Sequence, residues 1–424
     1  MELNMNTLSY QTSVLPCGLR TIHLPSDAPV VYLGYQIAAG SRNEQPGEEG
    51  LAHFCEHMTF KGTEHRSATT ILNSLESVGG SLNAYTTKEC TVFYAAVPAA
   101  YIRKATDLLT DIVFHAVYPQ KEINKEVEVI CDEIESYNDS PADLIYDDFE
   151  NIIFKDHPLG HNILGTAARV RAFTTADALR FTRRFYKPEN AIFFMYGGKR
   201  LPAIPIEASC QSMPKLPESS VPSSAYNETG NMETGNVETG NVIIREKDTH
   251  QAHVMIGCRS FSGCDEQLRE RMSLYLLNNI LGGRGMNARL NVVLREHRGL
   301  VYTVESTMVT YADTGMWCTY LGCDEKDVKR CLKLVHRELD KFRNTLLTPH
   351  RLEAAKKQLR GQLTVDCDNR ENFALDFGSV YLFHNKARDL TGLFRDIDAV
   401  TAEDIQRVAQ TIFDPDTMTT LIYK

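Results

Sequence analysis

The stretch ALRFTRRFYKPENAIFFMYGG at residues 178–198 returns in altered form as EDIQRVAQTIFDPDTMTTLIYK at residues 403–424. Both stretches pass from a helical pattern, through an aromatic residue and a proline, to an apolar strand. A strand-like run opens each half, at residues 30–42 and 252–261, and a helix, a strand and further helices follow it. We therefore predict a duplicated α+β fold, in which helices pack on a mainly antiparallel sheet in each half.

The segment between the halves, residues 203–241, differs from the rest of the chain in composition. It is rich in proline and serine at first and then repeats NETG, NMETG and NVETG. Neither helical nor strand periodicity runs through it, which is typical of a linker or an exposed excursion. We predict three segments: a first half at residues 1–202, this linker, and a second half at residues 242–424.

Composition narrows the class of protein. The chain has 424 residues, 43% hydrophobic and 24% charged, with a net charge of −10 and no basic run, which argues against a nucleic-acid partner or an anionic membrane surface. No apolar run reaches the roughly 18 residues of a membrane span, and the start of the chain lacks the pattern of a secretory signal. The 11 cysteines form no CxxC pair. We therefore expect reduced thiols and a cytoplasmic location.

The motif HFCEH, within LAHFCEHMTF at residues 51–60, is the strongest chemical signal in the first half. On a helix, His53, Glu56 and His57 project from one face, because residues three and four apart are neighbours there. Imidazole nitrogens are good zinc ligands, and H-x-x-E-H is a known zinc-peptidase motif. Cys55 points away from that face. The alternative is a solvated helix face that happens to carry two histidines.

A third ligand is expected from KEINKEVEVICDEIESY at residues 121–137, because a catalytic zinc site usually has three protein ligands. Its apolar residues recur with helical spacing and predict one buried stripe. Glu126 and Glu133 are seven apart and therefore lie two turns apart on one adjacent face. One of these carboxylates can bind the metal while the other supports it, although glutamates on a helix are more often simply solvated.

These motifs together resemble the M16 (pitrilysin-type) metallopeptidases, most closely the short bacterial members that are similar to mitochondrial processing peptidase. That family has H-x-x-E-H followed by two glutamates seven apart, and Glu133 lies 76 residues after His57. Further stretches resemble the family at residues 50–63, 79–94, 157–166, 185–198 and 281–304. Only residues 203–241 lie outside the resemblance, while Arg284 interrupts the family's glycine-rich loop.

The resemblance implies a zinc endopeptidase and assigns roles in the first half. His53, His57 and Glu133 would hold Zn²⁺. Glu56, which does not bind the metal in the family, would take a proton from the attacking water and pass it to the leaving amine. Glu126 would orient a ligand or the catalytic glutamate.

The resemblance also implies a place for substrate. Asn83, Ala84 and Tyr85 resemble the family's edge strand beside the zinc, to which an extended peptide can add through backbone hydrogen bonds. We therefore expect unfolded peptides as substrates. From the sequence alone, Asn83 is equally well explained as a turn residue after two glycines.

In the second half, Arg295 and Tyr302 of LREHRGLVY match the family pair that steadies the scissile carbonyl and its developing oxyanion. In short family members this pair comes from a second chain, so we expect a homodimer with composite sites. Arg298 is close enough to be confused with Arg295. The main alternative is a non-catalytic subunit of a hetero-oligomeric processing peptidase, and a metal-binding protein without hydrolysis is a further one.

Overall fold

The computed structural model describes residues 8–206, 242–247 and 249–424. The predicted linker lies outside the described residues from residue 207 onward. The first half of the chain forms these elements in order: β1 (Gln11–Val14), β2 (Arg20–Leu24), β3 (Val30–Ile37), α1 (Leu51–Thr59), α2 (Ala68–Glu76), β4 (Ser81–Thr86), β5 (Thr91–Pro98), α3 (Ile102–Phe114), α4 (Gln120–Asn138), α5 (Pro141–Ile153), α6 (Ala167–Val170), α7 (Thr175–Phe185) and β6 (Ala191–Tyr196).

The second half repeats this alternation of strands and helices. It forms these elements in order: β7 (Val242–Arg245), β8 (Ala252–Ser260), α8 (Leu268–Gly282), a short π-helix (Asn291–Glu296), β9 (Val301–Thr310), β10 (Gly315–Cys323), α9 (Val328–Asn344), α10 (Pro349–Asp366), α11 (Arg370–His384), α12 (Leu390–Ala399), α13 (Ala402–Ile412) and β11 (Thr419–Tyr423). Short 3₁₀ turns lie at Ser41–Asn43, Ala99–Tyr101, Pro188–Asn190, Asp265–Gln267 and Glu325–Asp327.

Two mixed sheets share one strand order. The first runs β1-β2-β6-β3-β5-β4 and the second β7-β11-β8-β10-β9, so the two agree strand for strand once β1 is set aside. The closing strand of each half of the chain has one parallel neighbour: β6 pairs with β2, and β11 pairs with β7. The other neighbouring strands are antiparallel. The predicted α+β fold with two similar halves is therefore confirmed.

The closing helix of each half also begins in the same way. Thr174 caps α7 and Thr401 caps α13, each accepting a hydrogen bond from the backbone of an aspartate three residues on. The side chains of Asp177 and Asp404 in turn accept a hydrogen bond from the backbone N–H of the threonine. This capping box satisfies N–H groups that the first helical turn leaves without partners.

The chain divides into two compact units. Their boundaries do not coincide everywhere with the two halves of the sequence. Among the described residues, one unit contains residues 8–136, 156–206 and 365–389, and the other contains residues 137–155, 242–247, 249–364 and 390–424. Helix α5 therefore belongs with the second sheet, and α11 belongs with the first.

The apolar runs in the central strands explain why each sheet takes a helix from the other half. In β6, Ile192, Phe193, Phe194 and Met195 are all fully buried, so the strand is covered on both faces. Phe193 packs on Tyr35 on one face, and Phe194 packs on Phe377 of α11 on the other.

Polar groups fix α11 on that second face. Arg20 donates to the carbonyl oxygens of Tyr381 (3.1 Å) and Leu382 (3.0 Å). Gln36 donates to the carbonyl oxygen of Leu375 (2.9 Å). In the second unit α5 takes the corresponding place, where Arg259 donates to the carbonyl oxygen of Ile153 (3.0 Å). These hydrogen bonds satisfy backbone carbonyl groups at both exchanged helices.

Among the described residues, no helix combines the length and the apolar composition that crossing a membrane requires.

Candidate metal centre

Helix α1 carries HFCEH and begins at a glycine in the left-handed region. Gly50 has φ 95°, and a Cβ atom there would lie 2.7 Å from the carbonyl oxygen of Leu164. Glycine is therefore the residue that this start requires. It has no side chain to cap the helix, and Glu44 does so from upstream, accepting from the N–H groups of Gly50 (3.0 Å) and Ala52 (2.7 Å).

The structure brings His53, His57 and Glu133 together. One ligand atom from each lies within 4.8 Å of the others. His57 Nε2 is 3.2 Å from Glu133 Oε2, and His53 Nε2 is 3.8 Å from Glu133 Oε1. The side chain of Glu133 is 46% exposed while that of His53 is 9% exposed, so this cluster, the triad, is reached from solvent on the Glu133 side.

The spacing of the triad fits a zinc ion. A tetrahedral ion with ligands at about 2.1 Å separates its ligand atoms by about 3.4 Å, close to both measured distances. Two imidazole nitrogens and one carboxylate oxygen are a donor set that zinc accepts in catalytic sites. Nε2 is the nitrogen of His53 that faces Glu133. Its Nδ1 is buried without a hydrogen-bond partner among the described residues.

Glu126 lies behind His57 and fixes its ring. His57 Nδ1 contacts Glu126 Oε1 at 3.1 Å, and Lys61 Nζ contacts Glu126 Oε2 at 2.6 Å. Burial alone would lower the pKa of His57, but the hydrogen bonds to Glu126 and Glu133 raise it to about 9. Burial would raise the pKa of Glu126, but His57 and Lys61 lower it, so Glu126 is held as a carboxylate. Such a carboxylate–imidazole pair directs Nε2 toward a metal.

Glu56 is buried on the same face of α1. Thr86 Oγ1, in β4, donates to Glu56 Oε2 at 2.6 Å. Burial raises the pKa of Glu56 above its ordinary value, although the hydrogen bond from Thr86 lowers it. A carboxylate whose pKa moves toward neutrality is better suited to both accepting and returning a proton.

A supporting chain of contacts reaches α1 from the HPLGH segment at residues 157–161. His161 Nε2 lies 2.9 Å from Glu44 Oε2, on the carboxylate that caps α1. Lys88 is buried and donates to the carbonyl oxygens of Leu159 (3.1 Å) and His161. Burial raises the pKa of Glu44, while His161 and the backbone N–H groups lower it.

Sequence reasoning did not assign roles to these supporting residues. Lys61, Thr86 and His161 lie within stretches that resemble the M16 family, which is the signal that could have drawn attention to them. Glu44 lies outside those stretches. Its role depends on the return of the chain at residues 157–161, which no local pattern encodes.

The residues predicted to hold substrate lie on an edge strand. Asn83, Ala84 and Tyr85 pair with Tyr94, Phe93 and Val92 of β5. Strand β4 is the last in the order of its sheet, and Thr86, at its end, contacts Glu56. Asn83 is exposed, and Ala84 packs against the core. Asn83 is therefore a strand residue in the structure and not a turn residue.

Arg295 and Tyr302 belong to the second unit. Arg295 is exposed in the short π-helix, and Tyr302 is 62% exposed at the start of β9 and donates to Asp324 Oδ1 at 2.9 Å. The triad in the first unit is complete without them. Cys55 is fully buried against α7, so the thiol inside HFCEH faces away from the triad.

Comparisons with known proteins identify the family of the chain. The family described as Insulinase (Peptidase family M16) matches residues 21–167, and the one described as Peptidase M16 inactive domain matches residues 172–359. A protein of Bacillus subtilis named an uncharacterized zinc protease is 30% identical over 92% of each chain. One of the same description from Streptomyces coelicolor is 31% identical over 94% of this chain and 86% of that relative.

Solved structures show the same fold at lower identity. A protease from Helicobacter pylori aligns with a TM-score of 0.83 at 22% identity, covering 98% of this chain and 99% of that one. A structure described as a peptidase M16 inactive domain, from Pseudomonas fluorescens, aligns with a TM-score of 0.80 at 19% identity, covering 98% of each chain. The two family matches together cover most of residues 21–359, and these two relatives at 30% identity or more cover more than nine-tenths of the chain. The chain therefore belongs to peptidase family M16.

Proposed function

We propose that the protein is a zinc-dependent endopeptidase that hydrolyses unfolded peptides or precursor segments. The observation that carries the proposal is a buried carboxylate, Glu56, beside two imidazoles and a second carboxylate whose spacing fits one zinc ion. The relatives named zinc proteases support the same activity. A bound zinc ion supplies Lewis acidity, which activates a water molecule and polarises the scissile carbonyl.

Glu56 is the proposed general base. Thr86 engages Oε2, which leaves Oε1 as the atom that takes the proton from the attacking water. The protonated carboxyl then returns that proton to the nitrogen of the leaving amine. Burial favours the neutral form of Glu56 and so stabilises the state in which it holds the proton.

Glu126 and Lys61 are proposed to act through His57. Glu126 accepts a hydrogen bond from Nδ1 and so keeps the proton of the neutral ring on that nitrogen, while Nε2 stays free to bind the ion. Lys61 neutralises the second oxygen of Glu126 and limits repulsion between Glu126 and Glu133. Loss of Glu126 would therefore weaken metal binding more than it changes the proton transfer at Glu56.

Strand β4 is the proposed docking place for the substrate backbone. A peptide that adds to a sheet edge must be extended, which selects unfolded segments over folded domains. Asn83, Ala84 and Tyr85 would contact it, and Arg295 and Tyr302 would donate to the developing oxyanion. Since short family members form sites from two chains, we propose a homodimer with composite sites. A cytoplasmic location also stays a prediction.

A non-catalytic subunit of a hetero-oligomeric processing peptidase is the second candidate. Residues 172–359 match a family described as an inactive domain, and this is the observation that favours the non-catalytic role. The complete set of triad, Glu56 and Glu126 in this same chain favours catalysis, because a scaffold needs neither metal ligands nor a free carboxylate beside them.

The decisive experiment compares the wild type with Glu56→Gln on a panel of unstructured peptides, with zinc quantified in both. We expect both proteins to hold zinc and only the wild type to cleave, with a loss of about 10²–10⁴-fold in kcat for the variant. Glu128→Gln is the matched control, since Glu128 is exposed on α4 and pairs with Arg171. Zinc without cleavage in the wild type would favour the subunit role, and no zinc in either protein would contradict the metal centre.

A further inference from the structure

A second cluster of two histidines and one carboxylate lies in the first unit, apart from the triad. His65 lies in the turn after α1, while Asp111 and His115 lie one helical turn apart at the end of α3. One ligand atom from each lies within 4.8 Å of the others. The proposed peptidase mechanism uses none of these three residues.

The two oxygens of Asp111 have different partners. Oδ1 faces the imidazoles, at 2.6 Å from His65 Nδ1 and 3.5 Å from His115 Nδ1. Oδ2 accepts from Thr63 Oγ1 at 2.7 Å and from Arg66 Nη1 at 2.5 Å. A carboxylate that binds a metal through one oxygen is commonly held by hydrogen bonds on the other, which is the division seen here.

Of the two imidazoles, His65 makes a hydrogen bond to Asp111 through Nδ1 and His115 does not. His115 Nδ1 is buried and has no hydrogen-bond partner among the described residues, although it points toward Asp111 Oδ1. Buried polar nitrogens are nearly always satisfied, so one without a partner calls for a ligand or an ion. A metal ion between the three side chains would satisfy His115 and His65 together.

The backbone holds the two histidines close before any ligand arrives. The N–H of Glu64 donates to the carbonyl oxygen of His115 at 3.0 Å, and the N–H of Val117 donates to that of Gly62 at 3.2 Å. These hydrogen bonds tie the turn after α1 to the end of α3. The imidazole centroids of His65 and His115 are 5.2 Å apart, compared with 4.6 Å for the two histidines of the triad. Such preorganisation lowers the entropic cost of binding an ion.

We propose that His65, Asp111 and His115 form a second metal site for a divalent ion of the zinc class, bound through the two Nδ1 atoms and Asp111 Oδ1. Imidazole with one carboxylate suits zinc, nickel and copper better than calcium or magnesium. The side chain of His65 is 59% exposed and gives the ion a path from solvent. Binding requires that the Nδ1 atoms of both histidines be unprotonated and that the 2.6 Å contact open to about 3.4 Å.

The second site binds more weakly than the triad. Arg66 is a cation at 2.5 Å from Asp111 Oδ2 and repels a second positive charge, and within the described part of the chain no lysine or arginine lies as close to Glu133. The triad therefore fills first and the second site fills at higher zinc concentration. This ordering makes the two sites separable in one titration.

The test is the zinc stoichiometry of the full-length protein, measured by equilibrium dialysis and elemental analysis over a range of free Zn²⁺. We expect two ions per chain in the wild type, the second at least tenfold weaker than the first. His65→Ala and His115→Ala should each keep only the tighter ion, while His57→Ala should keep only the weaker one. His297→Ala, an exposed histidine in the second unit, is the control and should bind two.

The variants distinguish zinc bound at this site from zinc bound at the triad and from zinc bound nonspecifically to thiols. His65 is exposed, so its replacement tests the site without emptying a buried position, and melting curves check that each variant is folded. Anomalous diffraction at the zinc edge should place the second ion beside His65 and His115. The proposal is overturned if the wild type saturates at one ion, or if folded His65→Ala and His115→Ala still bind two. Loss of cleavage in His57→Ala alone tests the proposed function separately.

Discussion

The two units share a strand order, but they carry different chemistry on the helix that faces the edge strand. In the first unit α1 presents Glu56 to β4, where Thr86 donates to only one of its carboxylate oxygens. In the second unit α8 presents Asn278 to β9, where its amide donates to the carbonyl oxygen of Ser306 (3.1 Å) and accepts from Trp317 Nε1 (3.0 Å). Both the nitrogen and the oxygen of the Asn278 amide make structural hydrogen bonds, while the carboxylate of Glu56 keeps one oxygen for chemistry.

The fold of each unit therefore does not depend on the metal ligands. The same sheet forms where α1 carries two histidines and where α8 carries none. Function on such a frame is set by a few side chains at fixed places, which is the general relation between folds and sites. Five predictions test this division of roles between the two units.

The largest effect is expected from removing a triad ligand. His57→Ala should lose the tightly bound zinc and reduce peptide cleavage by about a thousandfold or more, because the Lewis acid is lost with the ligand. Asn278→Ala, at the facing position of the second unit, should bind zinc as the wild type does. Zinc content and cleavage rate check both. Equal zinc loss in the two variants would contradict the division of roles between the units.

The next effect concerns Glu126. Replacing it with glutamine removes the charge that orients His57, so zinc affinity should fall by about 10–100-fold with a smaller effect on kcat at saturating zinc. Glu128→Gln, two residues along the same helix and exposed, serves as the control. Competition with a chelator of known affinity measures the shift. An unchanged affinity would mean that the 3.1 Å contact with His57 does not order the ring.

The matched helix caps give a stability prediction. Asp404 is 2% exposed and accepts from Arg269 and Arg407, whereas the side chain of Asp177 is 24% exposed and pairs with Arg180. Asp404→Asn should therefore lower the free energy of unfolding by about 2–4 kcal/mol, and Asp177→Asn by about 1 kcal/mol. Thermal melting of both variants measures the difference, and equal losses would contradict the role given to Arg269.

The partners of Asp404 also predict that the stability of the protein depends on pH. Burial alone would raise the pKa of Asp404, but the hydrogen bonds from Arg269, Thr401 and Arg407 lower it well below its ordinary value. A lowered pKa in the folded state contributes stability above the unfolded pKa, about 3.9, and this contribution is lost as the pH falls. The difference in the free energy of unfolding between the wild type and Asp404→Asn should be largest at pH 7. It should decrease steadily below a pH of about 4.

The smallest effect on zinc binding and cleavage is expected at His161. His161→Ala removes one of the partners of Glu44, but the N–H groups of Gly50 and Ala52 still hold that carboxylate at the start of α1. The loss should be about 1–3 kcal/mol of stability, with zinc content unchanged and kcat within about threefold. Melting curves and kinetics measure this, with His297→Ala as the control. A large fall in zinc content would show that the cap also sets the triad.

Much of the site followed from local periodicity. Because helix geometry places residues three and four apart on one face, HFCEH alone predicts that His53, Glu56 and His57 project together, and the structure places them so. The same reasoning applied to α4 predicts a buried apolar stripe, and its residues Ile123, Val127, Ile130 and Ile134 are buried. Which of the two glutamates meets both histidines came from resemblance, since spacing treats them alike.

Other parts of the site depend on contacts between distant segments. Lys61 reaches Glu126 and His161 reaches Glu44 only after strands and helices between them have packed. These partners are separated by 65 and 117 residues in the chain. No short-range pattern encodes such pairs, because each side chain by itself reads as an ordinary solvated residue.

Sequence patterns predicted the duplicated α+β plan and the helical face that carries the metal ligands. The helix that covers the second face of each sheet became known only from the folded structure. An uninterrupted apolar strand such as β6 shows that both faces are buried, but any amphipathic helix can supply the cover. The choice of α11 for the first sheet and α5 for the second depends on side chains such as Arg20 and Arg259, which meet the backbone of those helices and satisfy it.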